Sequence, residues 1–197
     1  MEAAKHFGTE IISADSRQVY RELNIGVAKP SYDELTQTKH HFINHTSIAE
    51  SYSVGQYERE AILRIDHYFK THNTLICSGG TGLYLNALRY GIDKFPETSP
   101  DIKASYERMY EQEGIQMLQQ LLQEKDPIYY ADVDIYNQAR LIRALTVCDS
   151  SNQPYSSFLL SQNIERPFHV IPILLTRDRA ELYDRINRRV DLMIQSG

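Results

Sequence analysis

Leu75-Ile76-Cys77-Ser78-Gly79-Gly80-Thr81-Gly82-Leu83-Tyr84 passes from an apolar run, through a glycine-rich turn, into a second apolar pattern. Leu75 to Ser78 reads as a short buried strand, and Leu83, Tyr84, Ala87 and Leu88 restart at helical spacing. The half-unit before it is equally legible. From Ser53 to Thr71, Val54, Tyr57, Ala61, Ile62, Ile65 and Phe69 recur at helical spacing, with Ser53 placed as the cap. Further upstream, Glu10 to Ser13 reads as another buried strand, and the region of Pro30 as a loop. Strand, helix, strand and helix in alternation are the signature of parallel βαβ units.

After Pro96 the pattern changes. Helical periods over Ile102 to Glu113, Ile115 to Glu124 and Gln138 to Cys148 predict an all-helical insertion between about Asp101 and Gln162. Phe168-His169-Val170-Ile171-Pro172-Ile173-Leu174-Leu175 reads as a return to strand, so the sheet is expected to resume there. Arg179 to Gln195 predicts a closing amphipathic helix.

With 197 residues, 42% of them apolar and 24% charged, the chain has the make-up of an ordinary globular protein able to bury a substantial core. Its longest apolar runs fall well short of the roughly 20 residues of a membrane helix, and Met1-Glu2-Ala3-Ala4-Lys5 lacks a signal-peptide apolar region, so a cytoplasmic location is expected. The two cysteines, Cys77 and Cys148, lie far apart without CxxC spacing, which argues against a metal site or disulfide scaffold. Cys77 reads as a buried small residue of its strand. A net charge of -5 opposes indiscriminate coating of nucleic acid, yet a local basic face can still hold a phosphate backbone.

Four constellations could carry chemistry. Glu10-Ile11-Ile12-Ser13-Ala14-Asp15-Ser16-Arg17-Gln18 ends an apolar run in polar groups, and residues at the carboxyl end of a parallel strand line the ligand crevice. Asp15 is the candidate general base. Gly79-Gly80-Thr81-Gly82 is either a tight turn or an anion cradle at a helix start, with Thr81 adding a hydroxyl. Arg140 and Arg143 lie one helical turn apart and form either a phosphate grip or a solvated face. In the last helix Arg185, Arg188 and Arg189 lie among apolar positions, and at least one of them, Arg189 included, either points to a crevice or pairs with Asp184 or Asp191. His40-His41 is not expected to hold a metal, because neighbours in a strand point to opposite faces. The 14 tyrosines are dispersed rather than arranged as a base-stacking platform.

In order along the chain, Ile12 to Tyr20, Ile25-Gly26-Val27-Ala28-Lys29-Pro30, His40-His41-Phe42-Ile43, Tyr52-Ser53-Val54, Gly79 to Tyr84, Asn137 with Arg140 and Arg143-Ala144-Leu145, and Arg185-Ile186 with Arg189-Val190-Asp191 resemble the tRNA dimethylallyltransferases, or isopentenylpyrophosphate:tRNA transferases. The resemblance implies an α/β fold: a P-loop-NTPase-like parallel sheet flanked by helices, with residues 1–96 and 166–197 as catalytic core and 97–165 as a helical tRNA-binding insertion. It implies transfer of a dimethylallyl group from dimethylallyl diphosphate to the N6 amine of the adenosine 3′ to the anticodon. On the matching positions it assigns Asp15, Thr81 and Arg189 to catalysis, with Arg189 on the diphosphate. It assigns Asp15, Ser16, Arg17, Gln18, Thr81, Arg140 and Arg143 to tRNA, and Ser16, Arg17 and Gln18 to the flipped adenine. It further implies Mg²⁺ as cofactor, the tRNA anticodon stem-loop as partner, no membrane, and a monomer for the full-length enzymes.

Two departures stand out. The family's G-x-x-x-x-G-K-[ST] phosphate loop is absent from these 197 residues, and Met1 to His6 resembles the end of the helix that follows it. A chain shortened at both ends is therefore expected, with little or no transferase activity and with an apolar sheet edge prone to self-association. Ala139 stands where relatives often place Gln or Arg, which puts one tRNA contact in doubt. Three rival readings are a small-molecule P-loop kinase, an adenylate isopentenyltransferase acting on free nucleotide, and a tRNA-binding fragment without catalysis.

Overall fold

The computed structural model describes residues 1–159 and 164–195. Along the chain run α1 (Glu2–Phe7), β1 (Ile11–Ser13), α2 (Tyr32–Gln37), β2 (His40–His41), α3 (Val54–Tyr68), β3 (Ile76–Ser78) and α4 (Gly82–Tyr90). There follow α5 (Pro100–Glu113), α6 (Ile115–Lys125), α7 (Pro127–Asp132), α8 (Gln138–Ser151), a 3-10 turn at Tyr155–Phe158, and α9 (Arg179–Gln195). They fall into two compact units, Met1–Ile92 with Ile164–Gly197, and Asp93–Asn163.

The first unit is built on a parallel three-stranded sheet in the order β2-β1-β3. Ile11 sits opposite His40 on one side and Ile76 on the other, and Ser13 opposite Ser78. Ile11, Ile12, Ser13 and Ala14 are all buried, as expected of a central strand covered on both faces. The Ser53 hydroxyl accepts from the Gln56 amide and starts α3, which buries Tyr57, Ala61, Ile65 and Tyr68. Tyr57 has no exposed surface; its hydroxyl donates to the Ser13 carbonyl at 3.1 Å and its ring stacks on Tyr84 of α4 at 4.1 Å. Both helices are thereby tied to the carboxyl end of β1, where Asp15 follows. At the other end of α4, Arg166 donates to the carbonyls of Ala87 and Leu88 and pairs with Glu58 of α3. That ion pair takes up orphan carbonyls of a helix end with a compensated charge.

The second unit is helical. Leu118 and Leu122 of α6 and Leu141, Ala144 and Leu145 of α8 are fully buried, with Tyr106 of α5 beside them. Each buried leucine contributes about 1.5–3 kcal/mol of apolar transfer. Asp126 is 1% exposed, and its carboxylate accepts from the Tyr129 amide, capping α7, and from the Ser156 amide and hydroxyl at 2.6 and 2.8 Å. Three donors compensate a charge that burial alone would make costly.

Three expectations need correction. Phe168 to Leu175 forms no strand, and Ile171, Ile173, Leu174 and Leu175 are all more than three-quarters exposed. Among the described residues β3 pairs with β1 alone, and no backbone hydrogen bond joins its free edge to this run. Between β3 and this run lies an open cleft of about 670 Å³, lined by Cys77, Leu85, Phe168 and Ile171 among others. Cys77 is accordingly exposed, because no described strand covers the outer edge of β3. Finally, α2 and α7 occur where no element was expected. No helix among the described residues is long and apolar enough to cross a membrane.

β2 is pinned by a titratable pair. The His41 ring nitrogen Nε2 lies 2.6 Å from Glu10 Oε2, and Lys39 pairs with the other carboxylate oxygen at 3.2 Å. Loss of water around the 9% exposed imidazole holds its pKa below the ordinary 6.5, outweighing the pull of Glu10. Burial pushes the Glu10 carboxyl up, but the bonds from His41 and Lys39 prevail and it sits below the ordinary 4.5. Both folded values lie below the unfolded ones, so as pH falls the unfolded chain takes up protons first and stability drops. Amide exchange at β1 is expected to accelerate from about pH 7 down to about pH 5, beyond the intrinsic pH effect. His41→Gln should flatten the upper part of that dependence; an unchanged profile would exclude His41 as its source.

Candidate active site

The site forms where β1 and β3 end side by side. The Ala14 amide donates to the Ser78 carbonyl at 2.8 Å and the Thr81 amide to the Ala14 carbonyl at 3.1 Å, so the Asp15 turn and the glycine turn are laced together. Gly79 makes this possible: a Cβ there would stand 2.3 Å from the Ala14 carbonyl oxygen. Thr81 is the N-cap of α4, but its hydroxyl makes no cap bond. It accepts from the Ser16 amide at 2.9 Å and donates to Ser16 Oγ at 3.2 Å.

Asp15 is partly exposed. Its Oδ1 accepts from the amides of Arg17 at 2.8 Å and Gln18 at 3.2 Å. Such a turn fixes the carboxylate plane. Oδ2 makes no hydrogen bond among the described residues, and is the oxygen left to take a proton.

The turn that follows is clasped from two directions. Val19 is fully buried, and its carbonyl accepts from the amides of His45 at 2.7 Å and Thr46 at 3.0 Å. Lys29 sends its ammonium to the Tyr20 carbonyl and to Asn44 Oδ1, both at 2.6 Å. Gln18 reaches Val27 and Ala28 with its side-chain amide. Neither Lys29 nor Asn44 is expected at the site from the residues alone. The one signal in the sequence is Lys29 within Ile25 to Pro30, a segment of the family resemblance.

Ser16 and Thr81 are thus brought to Asp15, and Arg17 is exposed beside it. Arg189 lies on α9, exposed, and makes no ion pair among the described residues, while Asp184 pairs with Arg188 instead. No hydrogen bond or ion pair among the described residues joins Arg189 to Asp15 or Thr81. In the second unit, Asn137 caps α8 by accepting from the Arg140 amide. Arg140 and Arg143 are both exposed on that helix. Arg143 lies over the Phe95 ring at 5.5 Å and donates to the Thr98 hydroxyl at 3.4 Å while remaining exposed.

Among the described residues no group of three His, Cys, Asp or Glu side chains could hold a metal ion. Beside Asp15 the Ser16 and Thr81 hydroxyls bond each other. These residues by themselves do not make a Mg²⁺ site.

A sequence model of the family described as IPP transferase matches residues 18–197. The tRNA dimethylallyltransferases of Christiangramia forsetii and Flavobacterium psychrophilum are 48% and 46% identical to the chain, over 100% and 98% of its length. The chain spans 65% of the length of each. Among solved structures, the full-length tRNA isopentenylpyrophosphate transferase of Bacillus halodurans is 33% identical with a TM-score of 0.61, over 100% of this chain and 61% of that one. A eukaryotic dimethylallyltransferase acting on tRNA shares the fold at a TM-score of 0.81 and 24% identity, over 100% of this chain and 49% of its own. With the parallel sheet, the paired turns and a match over nearly its whole length, the chain belongs to the IPP transferase family.

Proposed function

We propose that this chain carries the adenosine half of the active site of a tRNA dimethylallyltransferase, with Asp15 as general base. The observation that carries the reading is the state of that carboxylate: Oδ1 tied by two backbone amides, Oδ2 without a partner among the described residues, at the end of a buried strand. The N6 amine of adenosine is a weak nucleophile because its lone pair is delocalised into the ring. As N6 bonds to the dimethylallyl carbon, the bond from that carbon to the diphosphate oxygen breaks and the N6 proton passes to Asp15 Oδ2.

The diphosphate leaves with growing charge, which donors already in place must stabilise. The single hydrogen of the Thr81 hydroxyl points to Ser16 Oγ and would turn to a diphosphate oxygen, and Arg189 supplies an exposed guanidinium. The phosphate loop of the family is not among these 197 residues, so the chain alone is expected to bind RNA without turnover. Arg140 and Arg143 are suited to the phosphates of the anticodon stem-loop. Ser16 and Arg17 would meet the flipped base, and extrusion from a single-stranded loop is less costly than from a duplex. A cytoplasmic location goes with such a substrate.

The test is binding of two anticodon stem-loop RNAs, one with adenosine at the target position and one with purine riboside, which lacks the exocyclic amine. A charge-assisted hydrogen bond from N6 to Asp15 predicts about a tenfold or greater preference for adenosine. Equal affinities would remove Asp15 from the role of base.

A further inference from the structure

Gln18 belongs to the segment that the family resemblance gives to the adenine, yet its side chain is already committed. Its Nε2 donates to the carbonyls of Val27 at 3.2 Å and Ala28 at 3.0 Å, and its Oε1 accepts from the Ser13 hydroxyl at 3.2 Å. A primary amide has two hydrogens, and both are spent. Reading adenine with an amide requires one of those hydrogens for N7 while Oε1 accepts from N6.

What the amide joins is more telling. At one end stands Ser13, buried in β1; at the other stands Ala28, with φ at 45°, a left-handed conformation that alanine avoids. Between them the Gln18 backbone amide holds Asp15 Oδ1, and the Gln18 carbonyl accepts from the Asn44 amide at 3.1 Å. Lys29, next to Ala28, extends the clasp to Tyr20 and Asn44.

We infer that Gln18 is a positioning residue: it locks the strained Val27–Ala28 segment against the end of β1, aims the Asp15 carboxylate through the shared turn, and does not touch the base. The inference rests on the reading of Asp15 as the group that meets N6. A strained segment of this kind holds its shape only while its surroundings impose it.

The test uses the full chain and the same two RNAs. Gln18→Met is expected to reduce the adenosine preference from about tenfold to less than about twofold, while affinity for the purine riboside RNA changes by less than about twofold. Adding Ala28→Gly, which lets position 28 keep its left-handed conformation without strain, is expected to restore part of the preference. A glutamine that reads the base would behave otherwise: Gln18→Met would weaken both RNAs and the change at 28 would rescue nothing. A merely structural glutamine would lower the melting temperature and leave the preference intact. In the unaltered chain, the Gln18 side-chain amide resonances should be the same in complexes with adenosine RNA and with an RNA abasic at that position. A resonance that moves with the base overturns the inference. Should the unaltered chain show no preference, the reading of Asp15 fails, while the resonances still report whether Gln18 meets the base.

Discussion

Replacing Gly79 by alanine is expected to destabilise the first unit by about 2–5 kcal/mol. The added methyl would lie 2.3 Å from the oxygen, 2.4 Å from the carbon and 2.8 Å from the Cα of Ala14. All three are backbone atoms of a residue with no exposed surface, so no side chain can swing aside. Relief requires the glycine turn to move off β1. That breaks the bond from the Thr81 amide to Ala14 and strains the one from Ala14 to Ser78, each worth about 1 kcal/mol. The Ser16 amide then loses the Thr81 hydroxyl, so RNA discrimination should fall together with stability. Gly80→Ala is the control: nothing lies within 4 Å of a Cβ there, and a cost within about 0.5 kcal/mol is expected. Urea unfolding of both variants decides the matter, and equal midpoints would mean that the close approach of the two turns is not what Gly79 is for.

How much of this was legible follows from what each signal depends on. A central parallel strand is buried on both faces, so Ile11 to Ala14 shows as a continuous apolar run, and Leu75 to Ser78 reads the same way although β3 lies at the edge of the sheet and is only partly covered. Phe168 to Leu175 carries the same signal, yet an apolar run cannot state whether its backbone will pair, and β3 takes no second partner among the described residues. Cys77 fails for the related reason that its burial depends on a neighbour to β3. Six-residue helices such as α2 and α7 are too short for a period. Their caps are in the sequence nonetheless: Ser31 and Glu34 form a reciprocal capping box, and Asp126 precedes Pro127. At the site, the nearness of Asp15 and Thr81 was readable because parallel βαβ units place the ends of their strands along one edge. The commitment of Gln18 was not. It depends on a chain reversal that puts Ala28 in a left-handed conformation, for which alanine has no preference.

The second large effect concerns a single atom of Asp15. In Asp15→Asn the side-chain oxygen can still accept from the amides of Arg17 and Gln18, so the turn should persist and stability should change little. The free oxygen, however, becomes an NH₂ group and presents hydrogens to the hydrogens of N6. A charge-assisted acceptor is thus exchanged for a like-facing donor, and the adenosine preference of about tenfold or more should vanish or reverse. Asp15→Ala separates this from mere loss of charge: it removes the turn as well, and should cost both stability and preference. Were the asparagine variant to keep its preference for adenosine, the carboxylate would not be facing the amine. Were it instead to lose affinity for both RNAs alike, Asp15 would be acting on the shape of the pocket rather than on N6. In a protein that also supplies the phosphate loop, the same change removes the proton acceptor from the bond exchange. There the transfer rate should drop by about 10²–10⁴-fold, with RNA affinity reduced only by the lost hydrogen bond. That separation of rate from affinity is what a general base requires and a binding residue does not.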